Sequence, residues 1–301
     1  VTLKELLFRD LCCTIKEKVS LATYCTFGAG GSAKFLIAPS DALDVVKVMH
    51  TRKQHQFLLF FLGGGSNVLL SDIDGVVILS SGFSSVIYNE CKETNEIIIE
   101  VGSGCPLKYI VRESLKRGYS GFEFAVGIPG TIGGAVIGNA GVQGEDICKL
   151  LLWVECVQPD GSIMRIDKKD IKSGYRYSSL SEKGCFITKC AFKATFGDIG
   201  LTREKCLEYW SRRSNQPFME KSAGCIFKNP SGASAGKLLD ECGCKGKRIG
   251  DAVISEQHAN FCINLGNASV FDIKKLIYEC RDIVYEKKGI LLDFEVKMFG
   301  F

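Results

Sequence analysis

Three glycine clusters are the first places in this chain where residue type and spacing point to chemistry. They are FGAGG at residues 27–31, LGGGSN at 62–67 and IPGTIGGA at 128–135, with NAGVQG just beyond. Glycine admits positive φ and lets the backbone come close to a ligand, so successive N–H groups can converge on anionic oxygens. Any one cluster reads equally as a tight turn; the three together point to a diphosphate-bearing guest. No G-x-G-x-x-G follows a strand and opens a helix in a βαβ unit, and no G-x-x-x-x-G-K-[ST] phosphate loop is present. A different nucleotide-binding architecture is therefore expected.

The fifteen cysteines carry fewer signals. The closest groupings, Cys12 with Cys13 and Cys242 with Cys244, lack the spacing and the paired second half of a zinc site, so no metal is expected and most thiols are read as reduced and buried. Cys225 and the downstream His258 in EQHANF could serve a nucleophilic mechanism, but spacing alone does not establish the pair. Lys245, Lys247 and Arg248 read as a solvated turn or as a phosphate contact.

Behind these residues the hydrophobic pattern sets out the elements that must hold them. Apolar spacing after a Ser-Asp start predicts a helix over 40–54, and FLLFFL after it a buried strand. Hairpins are expected around residues 92–95 and 159–161, helices at 107–117, 203–213, 233–241 and 270–287, and strands near 186–194 and 261–264. Helices and hairpins mix without a regular βαβ cadence, which makes the class α+β. A boundary is expected near 197–200.

The chain's 301 residues favour two or three packed modules, and 46% hydrophobic, 24% charged residues and a net charge of +4 describe an ordinary globular composition. Nothing in this balance calls for a nucleic acid. Charges interrupt the apolar residues of VTLKELLFRDLCC and no long apolar run follows, so neither a signal peptide nor a membrane span is expected and the protein reads as cytosolic.

LGGGSNVLLSD at 62–72 and IPGTIGGAVIGNAG at 128–141 resemble the FAD loops of the UDP-N-acetylenolpyruvoylglucosamine reductase family. TFGAGGSA (26–33), YRYS (175–178), SAGCIFKNP (222–230) and AGKLLDECGCKGKRIGDAVISEQHANFCIN (235–264) continue the likeness, in order, over nearly the whole chain. The resemblance implies an α+β fold: a two-part FAD-binding module of the vanillyl-alcohol-oxidase (PCMH) type over 1–82 and 83–198, then a C-terminal α+β substrate-binding domain over 199–301. It implies FAD held by Leu62, Gly63, Gly64, Gly65, Ser66, Asn67, Val68, Pro129, Gly130, Ile132, Gly133, Gly134, Ala135 and Asn139. NADPH would reduce the flavin, and UDP-N-acetylglucosamine enolpyruvate would be reduced to UDP-N-acetylmuramate for peptidoglycan precursor synthesis. No obligatory protein partner is implied.

The likeness also places the catalytic residues. Arg176 matches the family arginine on the substrate carboxylate, where a permanently charged, bidentate donor suits a developing enolate. Glu295 matches a C-terminal glutamate that supports the same acid; beside another anion its pKa would rise and it could act protonated. Cys225 stands where many relatives have the serine that protonates the enolate carbon, and a thiol is the stronger acid. Its plainer reading is one buried cysteine among fifteen. Tyr175, Arg213, Lys228, Asn229 and Gln257 are candidate substrate contacts, with Arg212 an alternative to Arg213. Gly138 and Gln143 replace the bulkier residues usual in the family, so the packing beside the flavin is expected to differ. The short 196–203 segment leaves no room for the extra tyrosine-bearing loop of one subclass. Two rivals remain: a flavin oxidase of the same fold with another substrate, and a non-catalytic flavin or sugar-nucleotide binder.

Overall fold

A computed structural model describes residues 2–214 and 216–301. By packing, the chain divides into two interleaved units. The first comprises residues 1–17, 35–64 and 75–212, and the second 18–34, 65–74 and 213–301. The expected ranges 1–82, 83–198 and 199–301 do not coincide with them.

The first unit holds most of a four-stranded sheet, ordered Thr14–Ser20, Ser32–Ala38, Ile73–Leu79, Leu58–Leu62, and a larger antiparallel sheet. In the larger sheet Ile163–Asp167, Leu151–Val157, Phe186–Phe196, Glu96–Gly102 and Val86–Cys91 follow one another, and Tyr119–Ser120 pairs with the end of Phe186–Phe196. Both expected hairpins are present here. Ile97, Ile99 and Val101 alternate into the core, where they meet Leu107, Ile110 and Val111 of the helix Leu107–Arg117. Gly118 ends that helix in the left-handed conformation, and its N–H bonds Ser114 O.

Two expectations need correction. FLLFFL forms an edge strand: Leu58–Leu62 pairs in parallel with Ile73–Leu79 on one side only, leaving Leu58 65% exposed while Leu62 is buried. A run of apolar residues cannot reveal which flank lacks a neighbour. The helix expected from 203 begins at Ile199, because Asp198 accepts the Leu201 N–H and caps it early. Only Gly197 and Asp198 separate it from the strand Phe186–Phe196, so no extra loop is inserted there.

In the second unit the helix Val270–Lys288 starts on a capping box of Ser269 and Asp272. It buries Ile273, Leu276, Ile277, Cys280 and Val284 along one stripe. Fully burying each aliphatic side chain contributes roughly 1.5–3 kcal/mol, which pins the helix to the three-stranded sheet Arg248–Ile249, Ala252–Ile254, Cys262–Asn264. A separate parallel pair joins Val68–Leu70 to Lys297–Phe299. No disulfide joins any of the fifteen cysteines, and eleven are buried; Cys225 is half-buried. No helix among the described residues is long and apolar enough to cross a membrane.

Candidate active site

In the first unit the strand Leu58–Leu62 runs straight into Gly63 and Gly64, which lie against the 130–134 segment. A Cβ on Gly64 would stand 2.8 Å from Gly130 Cα, and one on Gly63 would stand 2.6 Å from Thr131 Oγ1. Only glycine permits this approach. Gly130 has φ +106, and the short helix Ile132–Ile137 follows it. Its first N–H groups are already used, Ile132 N–H by Cys105 O and Gly133 N–H by Ser103 O. The hydroxyls of Thr131, Ser103 and Ser80 are buried without a hydrogen-bond partner. Buried polar atoms of this kind cost free energy unless something completes them. A backbone cradle with orphaned hydroxyls fits a flavin dinucleotide, whose diphosphate and ring edges offer acceptors. Gly134 borders open space, since a Cβ there would meet only Thr131 Oγ1 at 3.6 Å.

The loop changes unit at its midpoint. Gly65, Ser66, Asn67 and Val68 belong to the second unit, where Gly65 (φ +61) passes so close to Tyr24 O that a Cβ would come within 1.9 Å. Asn67 Nδ2 donates to Glu295 O at 3.2 Å, and Lys297 N–H bonds Asn67 O at 3.0 Å. Asn67, nominated for the cofactor, also holds the segment that bears Glu295.

Arg176 sits in a two-residue turn between Ser173–Gly174 and Tyr177–Ser178, with φ +53. A non-glycine residue in the left-handed region is uncommon and strained. Arg176 Nη1 donates to Gly141 O at 2.8 Å, and Asn139 Nδ2 donates to Gly174 O at 2.8 Å, so the hairpin is tied to the end of the glycine segment. Asn139 is buried and its Oδ1 accepts Cys148 N–H. Its side chain is therefore committed within the protein. Tyr175 is exposed beside the Arg176 guanidinium. Gly138 closes the short helix, and Gln143 accepts a hydrogen bond from Arg212, which also pairs with Glu208.

In the second unit Cys225 and Glu295 lie on neighbouring segments. Glu295 N–H bonds Ile226 O at 2.8 Å, Lys228 N–H bonds Asp293 O at 2.8 Å, and Phe227 bridges Phe294 with their rings stacked at 5.1 Å. On the opposite flank Cys225 bridges Phe261. Asn229 Oδ1 accepts Ala235 N–H at the start of the helix Ala235–Glu241, which fixes the turn after Lys228. Gln257 is exposed and donates to Ser214 O; Arg213 bonds Gln216 and stacks over Phe218. Lys245 and Arg248 pair with Asp240 and Asp251 on the surface. His258 lies below its usual pKa because of burial, with Lys245 adding to the effect.

Thus Arg176 joins the glycine cradle in the first unit, while Cys225, Lys228, Asn229 and Glu295 share one frame in the second. The sequence reading missed Asn260, buried beside Phe261, which bonds both the N–H and the C=O of Phe227. An asparagine between Ala259 and Phe261 was the available signal.

Residues 33–167 match the FAD binding domain family, and residues 216–299 match the family described as the C-terminal domain of UDP-N-acetylenolpyruvoylglucosamine reductase. The curated UDP-N-acetylenolpyruvoylglucosamine reductase of Caldicellulosiruptor saccharolyticus is 37% identical over 292 residues, covering 95% of this chain and 92% of its own length. That of Chlamydia trachomatis is 37% identical over 293 residues, covering 96% and 97%. The chain belongs to the UDP-N-acetylenolpyruvoylglucosamine reductase family. The crystal structure of the Thermus caldophilus reductase superposes with a TM-score of 0.82 at 33% identity, covering 96% of this chain and 100% of that one. Physcomitrella patens BBE-like 1 superposes at 0.56 with 12% identity over 95% of this chain and 89% of its own, a likeness of fold alone. This family member is an oxidoreductase with an α+β fold and an FAD-binding domain.

Proposed function

We propose that this chain uses NADPH and FAD to reduce UDP-N-acetylglucosamine enolpyruvate to UDP-N-acetylmuramate in cytoplasmic peptidoglycan precursor synthesis. The observation that carries the reading is the backbone pairing of Cys225's segment with Glu295's, which sets a thiol-bearing and a carboxyl-bearing residue in one frame. Held by the glycine cradle, FAD would supply the hydride transfer between NADPH and the methylene carbon of the enol ether.

The chain's own residues do the rest. Gly63, Gly64, Gly130, Gly133 and Gly134 admit the cofactor against backbone, with Thr131 and Ser103 hydroxyls as donors; Leu62, Pro129, Ile132 and Ala135 shape the wall. Gly65, Ser66, Asn67 and Val68 extend the loop, and Asn139 acts through its backbone, its amide being taken up by Gly174 and Cys148. Arg176 stabilises negative charge on the substrate carboxylate, since a guanidinium stays charged and donates along two parallel bonds. Glu295 hydrogen-bonds the same developing acid. The Cys225 thiol gives its proton to the carbon next to the carboxylate, completing addition of hydride and proton across the double bond. Lys228, Asn229, Gln257, Arg213 and Tyr175 contact the sugar nucleotide; Arg213 is preferred over Arg212, whose side chain is held by Glu208 and Gln143.

The test is to reduce the purified flavoprotein with NADPH without oxygen, then add the enolpyruvyl sugar nucleotide and follow the flavin spectrum. Reoxidation with formation of the reduced sugar supports the reading. A reduced spectrum that persists refutes it, and reoxidation by oxygen alone with no need for the sugar nucleotide points to an oxidase.

A further inference from the structure

We infer that Asn260 is the positioning residue for the Cys225 thiol, its carboxamide acting as a one-residue strand that locks the 225–228 segment against the one bearing Glu295. This rests on the proton-donor reading of Cys225 above.

Asn260 is 2% exposed. Its Nδ2 donates to Phe227 O at 2.8 Å, its Oδ1 accepts Phe227 N–H at 3.0 Å, and its own carbonyl accepts Ile226 N–H at 2.9 Å. Glu295 N–H takes the one group left over, Ile226 O. Every backbone donor and acceptor of the two residues after Cys225 is thereby bonded, three of the four by Asn260. The segment cannot twist about its axis without breaking several buried bonds, so the direction of the Cys225 side chain is set. Only a planar group with a donor and an acceptor side by side does this: a carboxylate accepts at both oxygens and would repel Phe227 O. Asn260 is itself anchored, because its N–H bonds His258 Nδ1 at 3.2 Å, and His258 N–H bonds Ser255 Oγ at 3.3 Å.

The experiment is a double-mutant cycle on the holoprotein. Parent, Asn260→Asp, Cys225→Ala and the double variant are each reduced anaerobically with NADPH and mixed with the enolpyruvyl sugar nucleotide. The saturating reoxidation rate and the half-saturating concentration are then read. Misplacing a reacting group by about 1 Å costs on the order of 100-fold, so Asn260→Asp is expected to lower the saturating rate by about that factor while the half-saturating concentration stays put. In the Cys225→Ala background the same change should slow the reaction no further, since two residues that act as a unit are not additive. Rate losses that multiply in the double variant, or a half-saturating concentration that moves while the rate does not, would overturn the role. If Asn260→Asp cannot be purified with its flavin, Asn260→Gln, which keeps both groups on a longer arm, carries the same cycle. A parent that is not reoxidised refutes the proposed reaction itself and this role with it; a normal parent with multiplying losses refutes the positioning alone.

Discussion

Gly134 offers a test of the cofactor cradle in which folding and function are expected to move in opposite directions. It lies inside the helix Ile132–Ile137, and a Cβ there would meet only Thr131 Oγ1 at 3.6 Å, an ordinary contact. Alanine is favoured over glycine in a helix by about 1 kcal/mol. The Gly134→Ala apoprotein should therefore be more stable by roughly that amount, which for a chain of this size raises Tm by about 2 °C. If the cofactor comes against this backbone, the same methyl occupies its space, and FAD affinity should fall at least about tenfold, or 1.4 kcal/mol. Thermal denaturation of the apoprotein and titration with FAD, followed by flavin fluorescence, measure the two effects separately. A stabilised apoprotein with unchanged FAD affinity would show that no cofactor approaches Gly134. A destabilised apoprotein would refute the open space assigned to that position.

At Gly65, where the backbone has φ +61 and a Cβ would come within 1.9 Å of Tyr24 O, alanine should cost about 3 kcal/mol or more and be seen as loss of folded protein in a urea titration. Arg176→Gly should relieve about 1–2 kcal/mol of left-handed strain, partly offset by the glycine's chain entropy, so Tm should hold while substrate reduction falls by orders of magnitude. Cys225→Ala should leave NADPH reduction of the flavin intact and slow substrate reduction by orders of magnitude, whereas Cys225→Ser should keep substantial activity; equal substrate rates for Cys225→Ala and parent would remove the proton-donor role. Burial lowers the folded-state pKa of His258 below its unfolded value, so the unfolded chain binds the extra proton first. Its contribution is present above about pH 6.5 and lost as pH falls below it toward the depressed folded value. Protonation would also cancel the Asn260 N–H bond to Nδ1. Denaturant melts of His258→Gln should show a flatter acid limb than the parent; parallel curves would count against the assignment.

Much of the local architecture could be read from sequence because its causes are local. The helix Leu107–Arg117 shows an apolar stripe and a glycine stop, and the hairpins show alternation around turn residues. What escaped depends on distant partners. The short helix Ile132–Ile137 hides in its glycines, the parallel pair of Val68–Leu70 and Lys297–Phe299 joins remote segments, and the edge position of Leu58–Leu62 is set by which neighbour is missing. The same holds at the candidate site. Glycine clusters announced the cradle, and ordered motifs picked out Arg176, Cys225 and Glu295. The tie from Asn139 to Gly174 and the clamp of Asn260 on Phe227 are made by side chains on backbone far along the chain, which no spacing rule encodes.

The bond from Asn67 to Glu295 spans 228 positions, and the segments 18–34 and 65–74 pack with residues made only after position 212. During synthesis those early segments must wait, their strand Val68–Leu70 unpaired, until those later residues are made. Closing contacts of such long range is slow and leaves exposed edges in the meantime. The half of the glycine loop beyond Gly64 is thus among the last backbone to settle, so cofactor capture should wait until the segment through Phe299 has been made.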